Sequence, residues 1–273
     1  MLLTTLTQTA AEAKLPLATV AAEALHLAIL EGLFNRAESA PANFQGGTAI
    51  HLLHGGYRFS EDLDFAGEKL TWEAAETLIA QAQSGIEKLV LLMLGLGRHS
   101  WQLPPAKKKR RIYAAWYAFQ PQGQQQKFHV KIECAHYPVY QPQPLAVRSP
   151  LDVLQRMPLV SGLPARELLA EKIAAVLGRT YVKGRDLFDL WYFREALHTA
   201  IEPELLRAKL RDYQVSWTKK AITAKLKSYA HELLAREMRS FLPMPHRRLL
   251  ERDGFRAIRT SAQKMMNEAM RML

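Results

Sequence analysis

The sequence predicts a small α/β module followed by an all-helical one, divided at 1–160 and 161–273. Three observations carry this. Residues 127–135 (KFHVKIECA) alternate strictly, with Lys127, His129, Lys131 and Glu133 on one face and Phe128, Val130, Ile132 and Cys134 on the other, the pattern of a half-buried strand. After about residue 160 strand signals stop, and five segments in succession read as helices. Between the two regions Pro150, Pro158 and Pro164 bracket a connecting stretch.

Taken in order, residues 17–36 space apolar residues at three and four, as a packed amphipathic helix does. Residues 44–56 (FQGGTAIHLLHGG) read as a glycine turn and a short helix stopped by Gly55-Gly56, and 57–66 (YRFSEDLDFA) as a turn and then a strand. Residues 71–95 are predicted helical with Thr71 as N-cap; Ala74 stands three residues on, so there is no full capping box. The aromatic run 110–120 (RRIYAAWYAFQ) and the strand at 127–135 flank a polar loop with Gly123, which predicts an antiparallel hairpin. Both faces of the aromatic run look apolar, so its Trp and Tyr side chains read as core rather than as a base-stacking surface. The later helices are expected at 164–178, 184–198, 203–212, 217–240 and 246–272.

Composition narrows the function. The chain has 273 residues, is 48% hydrophobic and 23% charged, and carries a net charge of +11. That is a globular composition. The sequence shows no secretory signal and no obvious apolar run of spanning length, so a cytoplasmic protein with no membrane partner is expected. One cysteine, Cys134, excludes an internal disulfide and a multi-cysteine zinc site. Residues 205–273 hold 16 basic and 6 acidic residues, and Lys107, Lys108, Lys109, Arg110 and Arg111 form a second basic run. Without that run the rest of residues 1–204 is net negative, so the positive charge is localised, as it is in proteins that bind polyanions; Lys219 and Lys220 belong to the C-terminal excess.

The chemistry concentrates in two places. Asp62 and Asp64 lie two apart in a strand-like stretch, which points both carboxylates to one face. Adjacent carboxylates repel unless a cation lies between them, and an oxygen-only ligand set suits Mg²⁺ or Mn²⁺. Glu133, on the polar face of another strand, is a candidate third metal carboxylate. Upstream, Gly46 and Gly47 allow backbone N–H groups to approach a phosphate, with Thr48 at the start of a helix whose dipole favours anions. The parts describe an NTP held by a glycine bend, with its phosphates bridged to metal by the acids. The second place is 167–190, where Lys172 shares the apolar stripe of a helix and Asp186 and Asp189 open the next helix. Lys172 either snorkels to solvent or meets phosphate; Asp186 either pairs with Arg185 or Lys183, or it orients Lys172 or contacts the substrate.

These residues resemble a known family. GGTAI followed by GYRFSEDLDF, and later ELLAEKIAAVLGRTYVKGRDLFDLWYF, are similar to the two signatures of the AbiEii/AbiGii nucleotidyltransferase-like toxins, over about residues 20–195. The resemblance implies a polymerase-β-like nucleotidyltransferase core with a small mixed sheet and a helical C-terminal domain. It implies a toxin of a toxin–antitoxin or phage-defence system, with a winged-helix antitoxin as partner. MenT-type relatives transfer nucleotides from NTP to the 3′ end of tRNA and block aminoacylation and translation. By the same resemblance Asp62 and Asp64 hold metal, Lys172 and Asp186 complete the catalytic site, and Gly46, Gly47, Thr48, Arg58 and Ser60 surround the nucleotide. The basic residues 107–111, with Lys219 and Lys220, would then grip RNA. Where many relatives have a lysine in the helix after GGT, this chain has His51 and His54, which read as packing or surface residues. Two other functions fit the same residues: an NTP-dependent transferase that modifies a protein or itself, at Ser60, and a catalytically inert nucleotide-binding partner of an antitoxin.

Overall fold

A computed structural model describes residues 2–105, 111–149, 151, 158–227 and 231–273. Contacts divide the chain into two compact units, Met1–Leu163 and Pro164–Leu273.

The first unit is built on a mixed sheet. Its seven strands among the described residues are β1 (Asn43–Gln45), β2 (Asp62–Ala66), β3 (Gly97–Gln102), β4 (Ile112–Pro121), β5 (Phe128–Ala135), β6 (Gln143–Ala146) and β7 (Leu159–Gly162), in the order β3-β4-β5-β2-β1-β7-β6. The expected hairpin is present as antiparallel β4 and β5, which pair from Ile112 opposite Ala135 to Phe119 opposite Phe128. Its alternation holds on β5. On β4 the expectation of two apolar faces is corrected: Tyr113, Ala115, Tyr117 and Phe119 are buried, whereas Ile112 and Trp116 on the other face are exposed. The sheet has one covered face, so alternate residues of β4 meet opposite environments.

The covering helices are α1 (Leu2–Ala13), α2 (Leu17–Phe34) and α4 (Trp72–Leu94); the short helix α3 (Gly46–His54) follows β1 directly. Thr71 caps α4 as expected, its hydroxyl accepting from the Ala74 N–H at 3.3 Å. α2 corrects one sequence expectation. Its 18 residues are long and apolar enough to cross a membrane, and they are mostly buried inside this unit. Burial on nearly every side explains why the helix is apolar all round. The sequence did not announce α1, β1, β3, β6 or β7. Three of these strands have three or four residues, too few for alternation to show, and β7 runs two residues past the point where strand signals were expected to stop.

Glu23 and His51 tie α3 to α2. His51 Nε2 lies 2.7 Å from Glu23 Oε2 and Nδ1 lies 2.5 Å from the Gly56 carbonyl oxygen. Both partners are acceptors, so both ring nitrogens carry hydrogens and His51 is an imidazolium. Burial lowers its pKa, but the charge and hydrogen bond of Glu23, with the Gly56 carbonyl, outweigh this and raise it above 6.5. Ser149 Oγ donates to the other Glu23 oxygen, and the His51 ring packs 4.8 Å from that of Phe59. Nearby, His26 is lowered to about 4, by burial first, and donates from Nε2 to the Glu61 carbonyl at 3.1 Å.

In the second unit all described elements are helices: α5 (Ala165–Gly178), α6 (Gly184–Glu195), α7 (Pro203–Asp212), α8 (Lys219–Lys227), α9 (His231–Arg239), α10 (Met244–Glu251) and α11 (Arg256–Met272). The single helix expected at 246–272 is two helices, because Gly254 and Phe255 both take positive φ. Fully buried Lys209 of α7 bonds Glu167 at 2.8 Å and Glu171 at 2.7 Å, both on α5. Burial alone would lower this ammonium; the two carboxylates together raise it.

The two histidines of the first unit titrate in opposite senses. His51 is raised, so its contribution to stability is complete below pH about 6.5 and is lost as pH rises through its folded value. His26 is lowered, so its contribution is lost as pH falls from about 6.5 towards 4. Denaturant unfolding across pH 4–9 is expected to show both losses, with the alkaline loss reduced in His51→Gln. Glu23→Gln, which leaves the imidazolium without its buried counter-charge, is expected to cost about 3–5 kcal/mol at neutral pH.

Candidate active site

The glycine bend and the aspartates meet. β1 pairs antiparallel with β2, so that Gln45, the residue before the bend, stands opposite Asp64. Gly46 takes φ +80°, and a Cβ built on it would collide with the Asp64 carboxylate. Only glycine meets both conditions. A Cβ on Gly47 would lie 2.6 Å from Arg58 Nη2 and 3.1 Å from Ser60 Oγ. Thr48 is 1% exposed, and its hydroxyl donates to the Asp62 carbonyl, which fixes the start of α3 against the start of β2. Arg58 is buried and donates from Nη1 to the Phe59 carbonyl at 3.2 Å. The first turn of α3, with its unpaired N–H groups and positive dipole end, is thus backed by a guanidinium and faces a carboxylate.

On its other edge β2 pairs in parallel with β5, setting Asp62 opposite Lys131 and Asp64 opposite Glu133. Leu63 and Phe65 point the other way and are buried. Lys131 Nζ lies 2.5 Å from Glu133 Oε1. Burial lowers the Lys131 pKa, but the Glu133 hydrogen bond and charge, followed by the charges of Asp62 and Asp64, raise it overall. Lys131 is therefore a counter-cation to all three acids. Among the described residues no three His, Cys, Asp or Glu side chains converge as a metal-holding group. Glu133, expected as a third metal ligand, stands opposite Asp64 and pairs with Lys131. Asp62 and Asp64, on one face beside an anion-favouring bend, remain a donor set that suits a hard divalent cation. Cys134 points to the opposite face, its thiol pushed up to about 12 by burial and then by Asp64 and Glu133, so it carries no nucleophilic thiolate near neutral pH.

The family model described as nucleotidyl transferase AbiEii toxin of a type IV toxin–antitoxin system matches residues 28–264. The chain belongs to the AbiEii family. It is a nucleotidyltransferase toxin of a type IV system, and the family implies an antitoxin partner. Solved nucleotidyltransferase structures share the fold. MenT4, a nucleotidyltransferase toxin from Mycobacterium tuberculosis H37Rv, is 17% identical, with 98% of this chain and 97% of that chain covered and a TM-score of 0.59. JHP933 from Helicobacter pylori is 19% identical, with 94% and 95% covered and a TM-score of 0.52. No curated protein matches the chain in sequence.

The second signature of this AbiEii protein lies in the helical unit. Lys172 Nζ is 2.8 Å from Asp189 Oδ2 and 3.4 Å from Asp186 Oδ1. Both aspartates are almost fully buried, and Lys172 is 13% exposed, so it is clamped rather than snorkelling. Asp186 pairs with Arg179, which corrects the expectation of Arg185 or Lys183; Arg185 instead lies over the Phe241 ring at 5.0 Å. Lys183 and Arg185 adjoin Asp186 in sequence, but Arg179 comes from the preceding helix end, which spacing alone does not bring close. Lys219 and Lys220 are exposed on α8. Lys107–Arg110 lie outside the described residues; Arg111 is exposed, its guanidinium 5.5 Å from the centre of the Tyr137 ring.

The sequence alone assigns Lys131 and Asp189 no role at either site. Lys131 was legible as the neighbour of Glu133 on the polar face of its strand. Asp189 was visible three residues after Asp186, one helical turn on, where one lysine reaches both.

Gly46→Ala tests the bend. The substitution is expected to cost about 1–3 kcal/mol in thermal or denaturant unfolding, from the positive φ. By displacing Asp64 it is expected to lower nucleotide transfer by about 100-fold or more. Lys172→Met leaves two buried carboxylates short of a cation and is expected to destabilise the protein by about 3–5 kcal/mol in denaturant unfolding.

Proposed function

We propose that this toxin transfers a nucleotide from an NTP to the 3′ end of tRNA, blocking aminoacylation and translation, in the cytoplasm, and that a winged-helix antitoxin restrains it. In this reading the first unit is a polymerase-β-like core, and the system serves in phage defence. One observation carries it: Asp64, on the same face of β2 as Asp62, stands directly against the glycine bend at Gly46. A bend that favours phosphate and an acid pair that favours a divalent cation are useful together when the ligand is a nucleoside triphosphate.

Asp62 and Asp64 would hold Mg²⁺ or Mn²⁺, which supplies charge neutralisation at the phosphates. Backbone N–H groups of Gly47 and Thr48 bind phosphate oxygens, with the Arg58 charge behind them. Thr48 holds the bend in register with β2 through the Asp62 carbonyl. The acceptor hydroxyl oxygen bonds to the α-phosphorus, the bond to the β-phosphate breaks, pyrophosphate leaves and the hydroxyl proton passes to water. Lys131 sets a positive charge beside the carboxylates.

Localised positive charge supports RNA as acceptor. The helical unit carries a cleft of about 290 Å³ lined by Lys227, Arg256 and Arg259, and Lys219 and Lys220 are exposed on α8. Phosphate contacts of this kind position RNA and weaken with salt. Ser60 is only 9% exposed, which sets self-modification behind RNA as a reading.

Purified protein incubated with total tRNA, Mg²⁺ and each labelled NTP is expected to label RNA with at least one of them, and chelation by EDTA is expected to stop it. Asp62→Ala should abolish labelling with RNA binding nearly unchanged. A folded wild-type protein that labels no RNA with any NTP overturns the proposal, and a shift in its own intact mass would point to protein modification.

A further inference from the structure

The strand order gives the carboxylate pair two sides. Gly46, Gly47 and Arg58 stand on the β1 side; Lys131 and Glu133 stand on the β5 side, with β4 beyond. One line of register crosses these strands on a single face, with Asp62 opposite Lys131 and Lys131 opposite Trp116. Two inter-strand steps place the Trp116 backbone about 10 Å from that of Asp62.

Trp116 is 43% exposed, although its chain neighbours Ala115 and Tyr117 are fully buried on the other face. Lys131 Nζ lies 5.5 Å from the centre of the indole ring. His129 continues the same face of β5, exposed, and exposed Lys127 precedes the strand. With Asp62 and Trp116 these residues line a cleft of about 280 Å³.

A part-exposed indole among cationic side chains has the chemistry of a single-strand platform: a base stacks on the ring while the cations meet backbone phosphate. The side is fixed by the reaction. In-line displacement at phosphorus needs the attacking and leaving oxygens on opposite sides. With pyrophosphate departing at the glycine bend, on the β1 side, the attacking hydroxyl enters from the β5 side, where Trp116 stands.

We propose that Trp116 stacks the 3′-terminal base of a single-stranded RNA acceptor end, with Lys127 and Lys131 beside its backbone. Trp116 is then a positioning residue for the acceptor, not for the NTP. This rests on the transferase reading above and deepens it by assigning the acceptor's seat.

The test uses the full chain with Trp116→Ala, Trp116→Phe and Lys127→Glu, each checked for folding by circular dichroism and thermal melting. In transfer kinetics Trp116→Ala is expected to raise KM for an RNA with a single-stranded 3′ end about tenfold, with KM for NTP unchanged. Trp116→Phe, which keeps an aromatic face, is expected to stay near wild type. Anisotropy of a labelled single-stranded RNA oligonucleotide reads binding without turnover. Its affinity should fall about tenfold in Trp116→Ala, and should fall in Lys127→Glu as well.

Equal oligonucleotide affinity in wild type and Trp116→Ala overturns the proposal. So does a rise confined to KM for NTP, which would seat the incoming nucleotide's base on the indole. If the wild type transfers nothing and the oligonucleotide still separates the variants, the transferase reading fails and the RNA platform stands.

Discussion

β2 is hydrogen-bonded along both edges, antiparallel to β1 and parallel to β5, and this double pairing decides where the chemistry sits. With a side-chain period of two, Leu63 and Phe65 in the core leave Asp62 and Asp64 only the opposite face. A one-residue slip would drive both carboxylates into an apolar interior and expose the core residues instead, a cost of several kcal/mol for each unpaired charge. The apolar residues between the aspartates thus enforce the site as firmly as the aspartates define it. The same pairing carries the glycine bend to one side of the acids and Lys131 to the other.

Around this strand, buried charge is used to fix geometry. The His51–Glu23 pair holds the helix that follows the bend, and Lys209 with Glu167 and Glu171 does similar work within the helical unit. Such pairs add little net stability compared with a well-packed apolar core, but they penalise any arrangement that separates them. Lys131 belongs to a different class. It is partly exposed, it serves three acids at once, and its contribution is local to the site. A cation beside an acid cluster offsets part of the repulsion among the carboxylates.

The elements that span a full period were legible in the sequence. The alternation of β5 and the helical runs of α2 and α4 stand out because each runs for at least eight residues. Strands of three or four residues were not, since two turns of alternation cannot be told from chance. The apolar character of 110–120 was read correctly as strand and incorrectly as buried on both sides. Ala114 and Trp116 look as hydrophobic as Ala115 and Tyr117, and only the single covered face of the sheet separates them. In the helical unit the acids were visible but their partner was not, because Arg179 reaches Asp186 from the end of the preceding helix.

By itself, the sequence determined the period of each long element, the shared face of Asp62 and Asp64, the positions where glycine was required and the concentration of positive charge, because all of these depend on residues near one another along the chain. It also carried both family signatures in order. The tertiary structure alone decided that the bend touches Asp64, that Glu133 pairs with Lys131, that His51 lies between Glu23 and the Gly56 carbonyl, and that Trp116 faces outward. Those outcomes depend on strand order, register and which face is covered, and such relations between distant segments are set by packing, not by local pattern.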